Sequence, residues 1–189
     1  MGYNDHIFFS MRGKTVRYWI LILVFFVTFA YARDDLNTMR AKIFPQILLV
    51  DLDLDTKKID NKLIFTIVTD NMAEANDFIS AVRRFYGDEI KGIPLELSIK
   101  PCNQISSSTP MSALYLMNDE CPTTDVILAI AQKKRIVSFV GSSTMLDRGG
   151  TIALDFGPKV HPVLHSRDIR SGRYRFAPGF LAVARIIND

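Results

Sequence analysis

Residues 63–87, LIFTIVTDNMAEANDFISAVRRFYG, decide the fold. Leu63 to Thr69 is a run of β-branched and aromatic residues, and Asp70 and Asn71 punctuate it. From there the period changes. Met72, Ala75, Phe78, Ile79, Val82 and Phe85 recur at the spacing of one helical face, and Gly87 is a good stop just past the last turn. The next apolar stretch, Pro94 to Ile99 (PLELSI), reads as a strand again. Strand, helix and strand with short connections make a βαβ unit, which places the two strands parallel.

Working outward, the same alternation returns. Ser112 to Met117 (SALYLM) is strand-like. Pro122 and Thr123 open a helix to Gln132, and Lys133, Lys134 and Arg135 close it where cations favour the helix dipole. Ile136 to Val140 is a strand that ends at Gly141, and Asn103 to Pro110, with three serines, is a loop or short crossover. Upstream, Asp34 and Asp35 are capping residues for a helix carrying Leu36, Met39, Ile43 and Ile47, which Pro45 should kink or end. Downstream, Thr151 to Phe156, the Gly157-Pro158 turn and Val160 to His165 form a hairpin, with Pro162 placing the returning strand at an edge. Phe180, Leu181, Ala184 and Ile187, with Pro178 near the first turn, predict a terminal helix. The expected architecture is a single-domain αβα sandwich, its sheet mostly parallel with an antiparallel C-terminal hairpin.

The N-terminus has the organisation of an export signal. Arg12, Lys14 and Arg17 precede the uncharged run Tyr18 to Phe29, and Ala30-Tyr31-Ala32 supplies small residues for cleavage after Ala32. Met11 is an alternative start, because the basic residues all follow it. A retained anchor is the competing reading, but the run is shorter than the roughly 20 residues that span a bilayer. The expected working protein is residues 33–189, outside the cytoplasm. The chain carries 23 basic and 20 acidic groups, and removing residues 1–32 leaves twenty and nineteen. That near-neutral balance gives no bulk field for nucleic acid.

Export gives the cysteines meaning. Cys102 and Cys121 are the only two, and each follows a predicted strand. In an oxidising compartment they are expected to bridge; two free thiols are the alternative. Their spacing is neither a CxxC redox motif nor a zinc pattern.

Residues with catalytic chemistry are sparse. His161 and His165 stand four apart on a predicted strand, about 13 Å along one face, too far for one metal ion. Asp51, Asp53 and Asp55 alternate, but no Gly and Glu complete a calcium loop, so a solvated face is expected. No GxSxG nucleophile motif is present. The chain is therefore expected to be no enzyme and to need no cofactor. Two stretches remain as candidate sites. Gly141, Ser142, Ser143 and Thr144 follow a strand at the carboxyl edge of the sheet, where open α/β proteins hold ligands, although no clear helix follows them. Arg167, Arg170, Arg173 and Arg175, with Tyr174 and Phe176, form a cationic segment for an acidic partner or lipid headgroups. The alternative is that the two aromatics cover the core while the arginines sit in water.

The whole order resembles the YfiR-like family of exported bacterial regulatory proteins. The matching parts are the leader, the helix LNTMRAKIFPQILLVD, the strand KLIFTIVTD and the strands IPLELSIK and ALYLM. They continue with IVSFVGSSTM, then GGTIALDF, then the tail VHPVLHSRDIRSGRYRFAPGFLAVARI. The resemblance implies a periplasmic regulator that restrains a membrane-bound diguanylate cyclase by binding its periplasmic region, in a family whose members often dimerise. A periplasmic small-molecule receptor, with its ligand at Gly141–Thr144, is the alternative.

Overall fold

Every residue of Leu63–Val68 (β1) is buried, because this strand is the centre of a five-stranded sheet covered on both faces. The computed structural model describes residues 36–118 and 121–188. The expected leader, the cut after Ala32 and the caps Asp34 and Asp35 lie outside the described residues.

A helix is described over 36–48 (α1) and a single turn over Leu54–Lys57 (α2). Met72–Tyr86 (α3) follows β1; Asn71 caps its start through a bond from the Glu74 N–H, and Gly87, at φ +66°, ends it. Glu89–Ile90 (β2) and Ile93–Lys100 (β3) form a tight hairpin around Lys91 and Gly92, both at positive φ. Ala113–Leu116 (β4), Thr124–Lys134 (α4) and Val137–Val140 (β5) complete the larger sheet, in the order β2-β3-β1-β4-β5. β1 pairs parallel with β3 from Leu63↔Leu95 to Val68↔Lys100 and with β4 from Phe65↔Ala113; β4 pairs parallel with β5 from Ala113↔Val137. Only β2 runs against its neighbour.

Strand parity sorts the core onto two faces. Leu63, Phe65, Ile67, Ala113, Tyr115 and Phe139 face α1 and α3, where Phe44 stacks on Phe139 at 4.4 Å and meets Tyr115 edge-on at 5.0 Å. Leu114, Leu116 and Val140 face α4 through Ile127, Leu128 and Ala131.

Thr144–Asp147 (α5) leads to a second sheet made of Ala153–Phe156 (β6), Val160–His165 (β7) and, after Ser166–Arg170 (α6) and Pro178–Leu181 (α7), Arg185–Ile187 (β8). β6 and β7 are the antiparallel hairpin that the turn at Gly157-Pro158 predicts. A parallel bridge from Phe139 to Ile152 joins this sheet to β5, with Val140 N–H on the Ile152 carbonyl at 2.9 Å. The molecule is a mixed α/β protein with a mostly parallel central sheet and a small sheet bearing the antiparallel pair.

Four local expectations are corrected. Pro162 is not on an edge strand, because β7 lies between β6 and β8; β8 pairs only from Val163 onward, one residue past the proline. The terminal helix stops at Leu181, and Arg185–Ile187 instead pairs parallel with β7, which wins over local helical spacing. The buried stripe of α1 is Asn37, Ala41, Phe44, Ile47 and Leu48; of the expected positions Ile47 is in the core and Ile43 packs against it, whereas Met39 is exposed, and the helix runs three residues past Pro45. Asp51 is not solvated: it is buried, bonds the Asp53 N–H at 3.0 Å and pairs with the Lys57 ammonium.

Candidate functional site

The chain leaves the carboxyl end of β1 for α3 on one face and that of β4 for α4 on the other. Between these strands the connections part, which makes the crevice where open α/β sheets take ligands. Thr69, Asp70 and Asn71 follow β1 at this edge, Met117 and Asn118 follow β4, and Gly141 to Ser143 follow β5.

A polar chain crosses this edge. Arg40, from α1, donates through one Nη to the Gly141 carbonyl at 2.7 Å and through the other to Asn37 Oδ1 at 3.3 Å. Asn37 donates to Glu74 Oε1 at 3.1 Å, and Asn71 to Glu74 Oε2 at 3.2 Å. Beneath them lies Tyr115, fully buried, its hydroxyl close to Arg40. Burial pushes the Tyr115 hydroxyl up to about 12, while Arg40 draws it down and Glu74 raises it further. A cation and a carboxylate thus stand on either side of one crevice. Arg40 has five donors, and Gly141 and Asn37 each engage one of its two terminal nitrogens.

Of the loop singled out in sequence, Gly141 has a packing reason to be glycine. A Cβ there would overlap the Met117 carbonyl oxygen, and its N–H bonds the Leu116 carbonyl at 3.1 Å. Ser142 Oγ and Thr144 Oγ1 lie 2.6 Å apart. A one-turn helix, α5, does follow the loop, contrary to the sequence reading. Ser143 and Thr144 line a cavity of about 340 Å³ together with Asp147, Asp155, Val163 and Arg185.

Cys102 and Cys121 are at disulfide distance, their Cα atoms 5.9 Å apart. The pair lies at this same edge, tying the segment after β3 to the start of α4. The Cys102 N–H bonds Asp70 at 3.0 Å, and the Thr123 hydroxyl bonds the Cys102 carbonyl at 2.9 Å.

The arginine segment does not form one patch. Arg167 turns inward and donates to the Leu146 carbonyl at 2.7 Å, at the end of α5. Arg170 donates to Ser166 Oγ at 2.7 Å, and Arg173 pairs with buried Asp168 at 3.2 Å. Tyr174 is 2% exposed and belongs to the core with Phe176, so it is not a surface residue. His165, also buried, meets Asp147 Oδ1 at 2.8 Å; His161 is exposed, 3.3 Å from the Val183 carbonyl. Arg40, Glu74 and Tyr115 escape sequence reasoning because they are scattered through helix and strand with no motif to collect them. The one available signal is Glu74 three residues after the cap Asn71, which reads as helix capping alone.

No protein-family model matches the chain, and no curated protein matches it in sequence. Two solved structures share the fold. One is a domain described as an ABC domain from Streptococcus pneumonia, in complex with L-Trp; it is 12% identical, the match covers 75% of this chain and 62% of that one, and the TM-score is 0.53. The other is a conserved domain protein from Vibrio cholerae, 12% identical, with 73% and 58% covered and a TM-score of 0.50. This chain thus spans about three-fifths of each, and likeness at such identity is likeness of fold.

Proposed function

We propose that this chain is a non-enzymatic binding domain that works outside the cytoplasm and takes a small ligand at the carboxyl edge between β1 and β4. The observation that carries this reading is the Arg40–Asn37–Glu74 chain laid across the crevice, with Gly141 anchoring its cationic end. A guanidinium and a carboxylate held apart by an amide suit a ligand with charges of both signs, such as a free amino acid. The L-Trp in the Streptococcus domain supports the same chemical class. Calorimetric titration of residues 33–189 with individual amino acids tests it. Binding that weakens at least tenfold in both Arg40→Gln and Glu74→Gln supports the site. Binding unchanged in either variant, or none with any amino acid, refutes it.

A second reading concerns what the domain reports to. The leader pattern and the order of elements resemble the YfiR-like family, so the partner proposed is the periplasmic region of an inner-membrane signalling protein, a diguanylate cyclase in that family, with a homodimer as the expected state. Export predicts Arg33 at the N-terminus of the purified protein by mass spectrometry; an intact leader overturns it. Co-purification with a membrane cyclase, and raised cyclase activity on deletion, are the expected results for the partner. Unchanged cyclase activity on deletion counts against it.

A further inference from the structure

At the opposite edge of the sheet, where β4 and β5 begin, four separate segments enclose a cavity of about 550 Å³. Lys57 and Lys58 come from the end of α2, Lys134 and Arg135 from the end of α4, and Arg173 and Arg175 from the segment between α6 and α7. Asp53 is the one acid among its lining residues. We propose that this cavity binds a phosphate-bearing anion, a site distinct from the crevice between β1 and β4.

A solvated basic surface does not account for the arrangement. The cations converge on a concavity from distant parts of the chain, and the antiparallel bridge between Asp51 and Phe176 joins two of those parts. The end of α4 carries about half a negative charge. Lys133 and Lys134 in its last turn already answer that charge, and Arg135 lies beyond it in left-handed backbone at φ +55°.

The charges are partly held and partly unspent. Lys57 is fixed by Asp51, Lys58 by Asp55 at 2.6 Å, Arg173 by Asp168 at 3.2 Å and Arg175 by Asp53 at 3.1 Å. Lys134 bonds the Thr109 carbonyl at 3.0 Å, and among the described residues no carboxylate pairs with it or with Arg135. Two cations with no carboxylate partner among the described residues therefore line one cavity with two guanidinium groups, each held by one carboxylate contact with further donors to spare. Phosphate, with up to two charges and several acceptor oxygens, matches that set better than a single carboxylate. Ile59, Met111 and Ile136 give the same cavity an apolar wall, which suits a phosphate carried on an organic body. The volume lies within the range of small-ligand pockets.

Titration of residues 33–189 with sodium pyrophosphate at low salt is the test, with sulfate at equal ionic strength as the charge control. Pyrophosphate should bind at least tenfold more tightly than sulfate and weaken as salt is added. Lys134→Gln/Arg135→Gln should lose at least tenfold in affinity, while Lys159→Gln, an exposed cation on the β6–β7 turn, should lose nothing. Should the double variant unfold, Arg135→Ala alone, at an exposed side chain, takes its place with a loss of at least threefold expected. Phosphatidylcholine vesicles with and without phosphatidylglycerol separate the sources. Capture by the anionic vesicles that pyrophosphate competes away makes the natural ligand a lipid headgroup, and pyrophosphate binding without capture makes it a soluble ester. Pyrophosphate no tighter than sulfate, or equal losses in the Lys159 variant, overturns the site. Because Arg40 and Glu74 take no part, failure here leaves the crevice reading intact, and the reverse.

Discussion

Tyr115 joins the core to the candidate site. Its ring packs against Phe44 and Phe78, and its hydroxyl lies under the influence of Arg40 and Glu74. Its ionisation is pushed up to about 12 by burial, against an ordinary value of 10.0. Below pH 10 both folded and unfolded chains keep the proton, and stability does not depend on it. Between pH 10 and 12 the unfolded chain gives up its proton first, so it binds fewer protons and stability falls as pH rises, by about 3 kcal/mol at most. Tyr86 and Tyr174 are raised in the same direction, chiefly by burial, and add to the slope. Denaturant midpoints of Tyr115→Phe across this window should fall less steeply than those of the wild type. Equal slopes would remove Tyr115 from the account. Phe44→Ala, which empties the space between Tyr115 and Phe139, should cost about 3–5 kcal/mol by the same measurement. Residue-scale chemistry was the least legible part of the sequence. Asp51 looked like one of three solvated carboxylates, yet a cross-chain bridge to Phe176 buries it, and no local pattern announces a contact 125 positions away. Tyr174 likewise reads from sequence as either a partner-surface residue or a core cover, with the balance slightly toward core, and the structure places it in the core.

At the scale of elements, legibility followed burial. β1, α3, β4, α4 and β5 were readable because their periods are set by being covered on one face or both. The short pieces were not. β2 is two residues long and depends on positive φ at Lys91, a residue with no strong turn signal. Phe180, Leu181, Ala184 and Ile187 have a spacing that a helix satisfies, but the free side of β7 takes Arg185–Ile187 as a strand instead. The cysteine pair is legible through the compartment that the leader pattern predicts rather than through geometry. It fastens two elements, the 3₁₀ turn Cys102–Gln104 and the entrance to α4, and closes a loop of 19 residues of separation. The double variant Cys102→Ser/Cys121→Ser should lose about 3 kcal/mol of stability in urea. Peptide mapping without reductant should recover the two cysteines in one linked fragment. Two alkylatable thiols in protein purified without reductant would contradict the bond.

At the scale of the molecule, the question is whether two sheets make one cooperative unit. A single apolar cluster answers for one face: it runs from Phe78 and Phe65 through Phe139 to Ile152, Leu164, Tyr174, Phe176 and Phe180, drawing on both sheets. The second cluster does the same on the other face, from Leu116 and Leu128 to Ala153 and Val163. A buried clasp joins them at the seam. Ser138 Oγ and Thr151 Oγ1 lie 3.0 Å apart, the Ser138 N–H bonds Thr151 Oγ1 at 3.2 Å, and the Thr151 N–H bonds Ser138 Oγ at 3.0 Å. Neither sheet can lose its packing without exposing the other's, so far-ultraviolet and near-ultraviolet circular dichroism should report coincident transitions, with one midpoint. Thr151→Val keeps the shape and removes the partner of two Ser138 groups, which should cost about 1–3 kcal/mol. If the sheets unfold together, that loss shifts both signals equally. If β6, β7 and β8 were a separate unit, the variant would split the transition, the small sheet melting first while the aromatic signal of Phe44, Tyr115 and Phe139 persisted. A split would also separate the arginine-bearing segment from the rest of the basic cavity, because Arg173 and Arg175 lie between α6 and α7 on the chain of the small sheet, whereas Lys134 and Arg135 belong to the large one. Cooperativity of the whole is thus the condition under which that cavity exists, and the Thr151 variant measures it.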